Sequence, residues 1–252
     1  MVTLDIQGPI AWLTLNRPSV LNALDVATVK QFGVYLKSLR ERDDVRVVVT
    51  QGEGRAFCAG SDLHEIATMT PVEAAASERE MGDIFGYLDE LPQPTIAMLH
   101  GYVLGGGLGI ALYHDFRISS SETVLGLPEV EFGWTPPWAV GRLVDIVGAQ
   151  HARMLLLAAN KISGEEALTM GLVDKIAPAA DLEVQTRQFA EHFAKMPAVG
   201  LTETKKLLRK MSLLRDSSWD AEAAKAFEIC YSTPEARQRI ADFLAKKKAA
   251  KK

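Results

Sequence analysis

The feature that most constrains this chain is a glycine run, Gly105-Gly106-Gly107-Leu108-Gly109, set between two apolar segments. Thr95–Leu99 precedes the run and has the length and composition of a buried strand. Residues 110–112 are also apolar and favour the first turn of a buried helix. Glycine leaves the backbone open to close approach. The run therefore predicts a strand-to-helix turn that either packs tightly or presents main-chain amides to a ligand.

The remaining pattern alternates between strands and helices before it becomes wholly helical. Residues 2–7 and 10–15 alternate around Gly8-Pro9 and predict a hairpin. Asp25 is expected to cap a helix over residues 26–42, and Thr70 with Pro71 and Glu73 predicts the start of another. Further predicted elements are strands over 45–49, 115–120 and 172–176, helices over 137–147 and 149–159, and a capped short helix from Ser163.

This order of elements predicts the fold class and the boundary between two regions of the chain. Strands mixed with helices indicate an α/β body over residues 1–195, and helices alone follow over residues 196–252. Phe227, Ile229, Ile240, Phe243 and Leu244 give the C-terminal helices apolar faces that we expect to be covered by the body or by a neighbouring subunit.

Composition excludes several classes of function. The net charge is −4, so no basic surface indicates nucleic acid. The lysines at 246, 247, 248, 251 and 252 form a basic tail, which we interpret as solvated, with anion or partner binding as the alternative. Cys58 and Cys230 match no metal spacing and predict reduced thiols in a cytoplasmic protein. No segment has the apolar length of a membrane span.

Four familiar motifs fail on inspection. The dinucleotide fingerprint that would begin at Gly105 needs glycine or alanine where Ile110 stands. The phosphate loop fails because Gly107 and Leu108 occupy the positions of its lysine and hydroxyl residue. The zinc motif that His64-Glu65 could begin lacks a histidine at Thr68, and Gly60-Ser61 lacks the frame of a nucleophile elbow.

Two turns and one acid remain as candidates for chemistry. A small-residue turn around Ser61 and the glycine turn at Gly106 each precede a helix, where backbone amides have no partner within the helix. Two such amides converging on one carbonyl oxygen would stabilise an oxyanion. Glu129 stands in an apolar setting that would raise its pKa and suit it to proton transfer. Glu131 is a rival, since strand alternation would put both acids on one side.

Taken together, these segments resemble the enoyl-CoA hydratase/isomerase (crotonase) superfamily over nearly the whole chain. The resemblance is carried by an ordered set of motifs rather than by one motif. In chain order they are Leu15-Asn16-Arg17-Pro18 with Asn22-Ala23-Leu24, residues 52–63, 94–97, 101–107, 115–118, 127–130, 162–167, 171–174 and 241–243.

The resemblance implies a body built as a spiral of ββα turns that binds acyl-CoA, and C-terminal helices that form homotrimers, often paired into hexamers. It implies a coenzyme A thioester as substrate and neither a metal nor a redox cofactor. Carried over by position, the oxyanion amides fall on Ser61 and Gly106 and the acid on Glu129. The CoA nucleotide is expected near Arg17, Ala23, Ala59 and Asp62, with main-chain contacts from the two alanines.

One departure from the family pattern bears on the reaction. Hydratases of the family carry a first glutamate three positions beyond the central glycine, where this chain has Gly109. The extra acid of dienoyl isomerases falls roughly on Pro137. A single glutamate suffices for moving a double bond, so the expectation is an enoyl-CoA isomerase. A glutamate introduced at Gly109 is expected to add hydratase activity if the backbone accommodates it.

Two alternatives stay open at this point. One is an enoyl-CoA hydratase or a hydroxycinnamoyl-type hydratase-lyase, which also lacks the first glutamate, with Trp134 and Trp138 lining the acyl pocket. The other is a non-catalytic acyl-CoA-binding scaffold.

Overall fold

A computed structural model describes residues 1–211 and 217–249 of the 252-residue chain. The strands are β1 (Val2–Gln7), β2 (Ile10–Leu15), β3 (Val47–Gly52), β4 (Ala56–Cys58), β5 (Thr95–Leu99), β6 (Tyr102–Leu104), β7 (Phe116–Ser120), β8 (Val124–Gly126), β9 (Ile162–Ser163) and β10 (Lys175–Ala177). The helices are α1 (Val26–Arg40), α2 (Leu63–Ile66), α3 (Pro71–Glu90), α4 (Gly106–Leu112), α5 (Val140–Leu156), α6 (Gly164–Thr169), α7 (Leu182–Ala194), α8 (Ala198–Met211), α9 (Ser217–Tyr231) and α10 (Pro234–Ala249).

The strands form two sheets that the chain visits in turn. The larger sheet has the order β1-β2-β3-β5-β7-β10 and the smaller β4-β6-β8-β9. β3, β5 and β7 lie parallel in the larger sheet, and β4, β6 and β8 lie parallel in the smaller one. Each repeat therefore places one strand in each sheet and then a helix. This is the predicted spiral of ββα turns, followed by C-terminal helices.

Local sequence signals account for several helix starts. The Asp25 carboxylate accepts from the Thr28 amide at the start of α1, and Thr70 with Glu73 forms a reciprocal capping box on α3. Ser163 and Glu166 form another on α6. Each box satisfies backbone donors that the first helical turn leaves unpaired.

Several predicted boundaries were wrong. Pro136 and Pro137 do not open a helix, because α5 begins at Val140 after Ala139 in the left-handed region. The predicted division near residue 148 is present as a break at Gly148, whose φ is +72°. The strands expected over 45–49 and 172–176 begin later, at Val47 and Lys175.

The C-terminal helices cover the chain's own body more fully than the sequence indicates. α9 packs on α3, while α10 packs on α2 and on the segment around residue 130. Phe227 and Ile240 are buried by these contacts, so for these two residues the body supplies the cover, which is the first of the two expected arrangements. Ile229 and Phe243 remain exposed. Lys251 and Lys252 of the basic tail lie outside the described residues.

Within residues 1–211 and 217–249, no helix combines the length and the apolar character needed to cross a membrane.

Candidate active site

Three turns meet at one edge of the smaller sheet. The chain leaves β4 toward Ser61, leaves β6 toward Gly106 and leaves β8 toward Glu129. Because β4, β6 and β8 are parallel neighbours, their carboxyl ends lie side by side. The topology thus brings together the three segments that the sequence singled out.

Close contacts show how tightly these turns are packed. A Cβ added to Gly60 would lie 3.3 Å from the Gly106 nitrogen, and one added to Gly105 would lie 3.1 Å from Glu129 Oε1. Gly105 has φ +54° and ψ −128°, a conformation that residues with a side chain rarely adopt. Its N–H donates to the Gly126 carbonyl at 3.0 Å, which ties the glycine turn to the end of β8. Glycine is required here by both backbone conformation and space.

The two predicted oxyanion amides stand open at this junction. Gly106 is the first residue of α4. Ser61 lies directly before Asp62, the N-cap residue of α2. Among the described residues, no acceptor is found for the N–H group of Ser61 or of Gly106. The backbone around Ser61 is fixed, since the amides of Leu24 and Asp62 donate to the carbonyls of Gly60 and Leu24. Both amides are thus held in place without an internal partner.

Glu129 is the buried acid of the site. It begins a short 3₁₀ turn, Glu129–Phe132, rather than lying on a strand. In this turn Glu131 is exposed while Glu129 is only 8% exposed, so the structure distinguishes the two rivals. Burial, with a smaller contribution from the negative charge of Glu78, raises the pKa of Glu129 to about 8. Its Oε2 is buried and has no hydrogen-bond partner among the described residues.

The space beside Gly109 is filled by Trp138. A Cβ added to Gly109 would lie 2.4 Å from Cζ3 of the Trp138 indole, and one added to Gly82 would lie 2.9 Å from its Cβ. Trp138 stacks on Phe85 and Tyr113 with centroid separations of 5.7 and 6.0 Å. The two glycines thus form a slot for the indole. The position of a first glutamate on α4 is closed by this packing.

Glu78 is a second carboxyl in the site that the sequence analysis missed. It lies on α3, is 3% exposed and borders the cavity that also contains Glu129. Ser61 Oγ donates to Glu78 Oε1 at 2.6 Å, and Trp138 Nε1 donates to Oε2 at 3.0 Å. A signal was present in the sequence, because helical spacing places this acid on the same face as Met81 and Phe85.

The cavity of about 780 Å³ contains most of the predicted ligand-binding residues. Ala23, Ala59 and Asp62 line it, together with Trp134 and Trp138. The amides of Ala23 and Ala59 already donate to the Val20 and Leu21 carbonyls, so any main-chain contact from them to a ligand would use a carbonyl oxygen.

Arg17 occupies a different place from the other three predicted nucleotide-binding residues. It is not part of the cavity wall that the structure describes. Its guanidinium contacts Asp25 and Asp62, each at 3.0 Å, and donates to the Ala23 carbonyl. Arg17 therefore joins the two segments that present Ala23 and Asp62 to the cavity.

In the part of the chain that the structure describes, no group of three or more His, Cys, Asp or Glu side chains is arranged to hold an ion.

Comparisons with known proteins identify related sequences and folds. Residues 5–251 match the family profile described as enoyl-CoA hydratase/isomerase. The chain is 32% identical to a short-chain-enoyl-CoA hydratase of Clostridium acetobutylicum over 98% of its length and 95% of the relative's. It is 30% identical to an enoyl-CoA isomerase/hydratase of Zymoseptoria tritici, over 96% and 83% of the two chains. A crystal structure of an enoyl-CoA hydratase from Bacillus anthracis superposes with a TM-score of 0.82 at 28% identity, covering 97% and 96%.

Proposed function

Because this chain belongs to the enoyl-CoA hydratase/isomerase family, we propose that it shifts the double bond of an enoyl-CoA thioester with Glu129 as its acid and base. The observation that carries this proposal is the packing of Trp138 against Gly109, where a Cβ would lie 2.4 Å from the indole. Hydration by the family's pattern needs a second carboxyl at that position to orient water. Moving a double bond needs one group that removes a proton and returns it elsewhere.

In the proposed reaction the thioester oxygen lies between the amides of Ser61 and Gly106. Glu129 removes a proton from the carbon next to the carbonyl, and the electron pair moves onto the oxygen as an enolate. The same carboxyl then returns the proton two carbons further along, which leaves the double bond conjugated with the thioester. Each amide donor contributes about 3 kcal/mol to such an oxyanion. The buried surroundings of Glu129 keep competing water away from the enolate.

The direct test supplies 3-enoyl-CoA and 2-enoyl-CoA separately. We expect the absorbance of the conjugated thioester to rise with the 3-enoyl substrate. The 2-enoyl substrate should lose its conjugation slowly if at all. Rapid loss of conjugation from 2-enoyl-CoA, with no reaction of 3-enoyl-CoA, would contradict the proposal.

The rate should depend on pH through Glu129. Its pKa is raised to about 8, so the base form that removes the proton becomes more abundant as the pH rises through that value. We therefore expect kcat/KM on 3-enoyl-CoA to increase with pH and to level off above about 8, since kcat/KM reports on the free enzyme. A profile that stays flat from about pH 6 to 9 would exclude Glu129 as the base.

Hydration is the second candidate, and Glu78 is the observation that favours it. This acid borders the same cavity as Glu129, so two carboxyls are present although neither lies on α4. Relatives such as the Clostridium acetobutylicum protein carry hydratase names. Trp134 and Trp138 would suit an aromatic acyl group. Turnover of 2-enoyl or cinnamoyl thioesters, without isomerase activity, would favour this candidate over the first.

We also propose that the protein is a homotrimer or a dimer of trimers in the cytoplasm. Support comes from exposed apolar side chains in the C-terminal region, at Val199, Leu207, Leu208, Ile229 and Phe243. Light scattering on an eluting column peak should give three or six times the chain mass of 27.5 kDa. A mass of one chain would contradict this assembly.

A further inference from the structure

The proposed reaction leaves one buried acid of the cavity without a role. Glu78 lies on α3 with 3% of its surface exposed, and burial raises its pKa. In the described part of the chain no cation pairs with it. A buried carboxyl without a cation is unfavourable unless donors satisfy it. Its retention in an apolar interior therefore points to a specific role.

Both oxygens of Glu78 are engaged by donors. The Ser61 hydroxyl is 2.6 Å from Oε1, and the Trp138 indole N–H is 3.0 Å from Oε2. The indole N–H can only donate. Two donors stabilise the ionised carboxyl, which accepts at both oxygens.

These two partners belong to segments of the site that are distant in sequence. Ser61 supplies one of the proposed oxyanion amides, and its Oγ lies 3.7 Å from the place a Cβ on Gly106 would occupy. Trp138 is the residue that fills the slot beside Gly109. Glu78 thus connects the oxyanion turn to the indole that closes the position of the missing glutamate.

We propose that Glu78 is a positioning residue of this active site, holding Ser61 and Trp138 in register and placing its negative charge where it acts on the Glu129 carboxyl. This inference rests on the proposed role of Glu129 as the acid and base. Glu78 itself touches no reacting atom in the proposal. It acts through Ser61 and Glu129, which take part in the proposed reaction, and through Trp138, which shapes the pocket.

Several charged groups border the cavity near Glu129. Burial is the main cause of the raised pKa of Glu129, and among the described residues the negative charge of Glu78 adds to it, while a backbone hydrogen bond opposes it. The other charged groups that border the cavity from the same turn and from α10, the helix packed against it, are Glu131, Arg239, Asp242, Lys246 and Lys247. Glu131 is exposed, and Arg239 is paired with Glu235 at 2.9 Å.

Glu78→Gln tests the charge while keeping the contacts. The amide oxygen can accept from the Trp138 N–H, and the amide N–H can donate to Ser61 Oγ. Removing the charge should lower the midpoint pH for ionisation of Glu129, because a neighbouring negative charge disfavours a second one. The measurement is an infrared titration of ¹³C-glutamate-labelled protein without substrate, with Glu129→Gln used to assign the band. Glu131→Gln is the matched control and should leave the midpoint unchanged.

Glu78→Leu tests the positioning. Leucine has similar bulk but offers neither hydrogen bond, so Ser61 and Trp138 lose their common partner. We expect kcat to fall about tenfold or more relative to Glu78→Gln, with KM changed less, because a misplaced oxyanion amide acts on the transition state. Thermal unfolding of both variants shows whether the fold is kept.

The inference is overturned if Glu78→Gln leaves the Glu129 midpoint where it is, or if Glu78→Leu and Glu78→Gln have equal kcat. The titration needs no turnover, so it stands apart from the choice of substrate. Should wild-type protein fail to isomerise 3-enoyl-CoA while the midpoint still moves, the proposed function is wrong and the role of Glu78 survives. The kcat comparison then uses whichever thioester the enzyme converts.

Discussion

Glu129→Gln should lower kcat on the enzyme's substrate by about a thousandfold, because the amide can neither accept nor return a proton. The substitution preserves the size of the side chain and leaves the amides of Ser61 and Gly106 in place. KM should therefore change little. The measurement is steady-state kinetics on 3-enoyl-CoA over a range of pH, and a loss of less than tenfold would remove Glu129 from the mechanism.

The same substitution should stabilise the fold at neutral and alkaline pH. Burial raises the pKa of Glu129 from 4.5 to about 8. The folded state therefore binds this proton more tightly than the unfolded state, and stability is lost as the pH rises from about 4.5 toward 8. Glutamine does not titrate. Its advantage in the free energy of unfolding should appear above pH 4.5 and reach up to about 3 kcal/mol at pH 7.

Urea unfolding at two pH values checks this sign. Glu129→Gln and wild type should be nearly equal at about pH 4, and the variant should be the more stable at about pH 8. A variant that loses activity and gains stability cannot owe its inactivity to unfolding. Equal stability at both pH values would show that Glu129 titrates normally.

Gly109→Glu is the second prediction, and the structure does not meet the condition under which the sequence predicted a gain of hydratase activity. An added Cβ would lie 2.4 Å from the Trp138 indole, so the glutamate cannot enter without displacing that ring. We expect destabilisation of about 3 kcal/mol or more and no gain of hydratase activity, since overpacking of a filled core is unfavourable.

A double variant separates this clash from any other defect. Trp138→Ala alone leaves a cavity and should cost about 3–5 kcal/mol. If the indole is the obstacle, Gly109→Glu with Trp138→Ala should be less destabilised than the sum of the two single variants. Hydration of 2-enoyl-CoA should then be faster for the double variant than for Gly109→Glu. Strict additivity of the two stability changes would show that the clash is not with Trp138.

Gly109 shows how much of this site could be predicted from the sequence and how much could not. Features that depend only on neighbours in sequence could be predicted. The structure confirms the glycine turn before α4 and the helix caps at Asp25 and Thr70. It also confirms that Glu129 is buried. The absence of a side chain at Gly109 was also evident. What could not be predicted is that the indole of Trp138 fills that space, because this contact joins residues brought together only by the tertiary fold.

The same limit explains the missed and misplaced residues. Glu78 looks like one acid among several on a helix until Ser61 and Trp138 are seen to converge on it. Arg17 is predicted to lie near the CoA nucleotide, and its ion pairs with Asp25 and Asp62 become visible only in the fold. The difference between Glu129 and Glu131 depended on a 3₁₀ turn where alternation was expected. The cases of Glu78 and Arg17 depend on contacts between segments distant in sequence, whereas that of Glu129 and Glu131 depends on the local backbone.

The packing of α10 against the turn that bears Glu129 has a consequence for the order of folding. Arg239 donates to the Glu131 carbonyl across 108 positions of sequence, and Ala236 lies close against Gly133. Contacts of such wide separation tend to form late, because a long loop must close first. During refolding, recovery of turnover should lag behind recovery of helical signal, since the acid is fixed in place only once the last helix has docked.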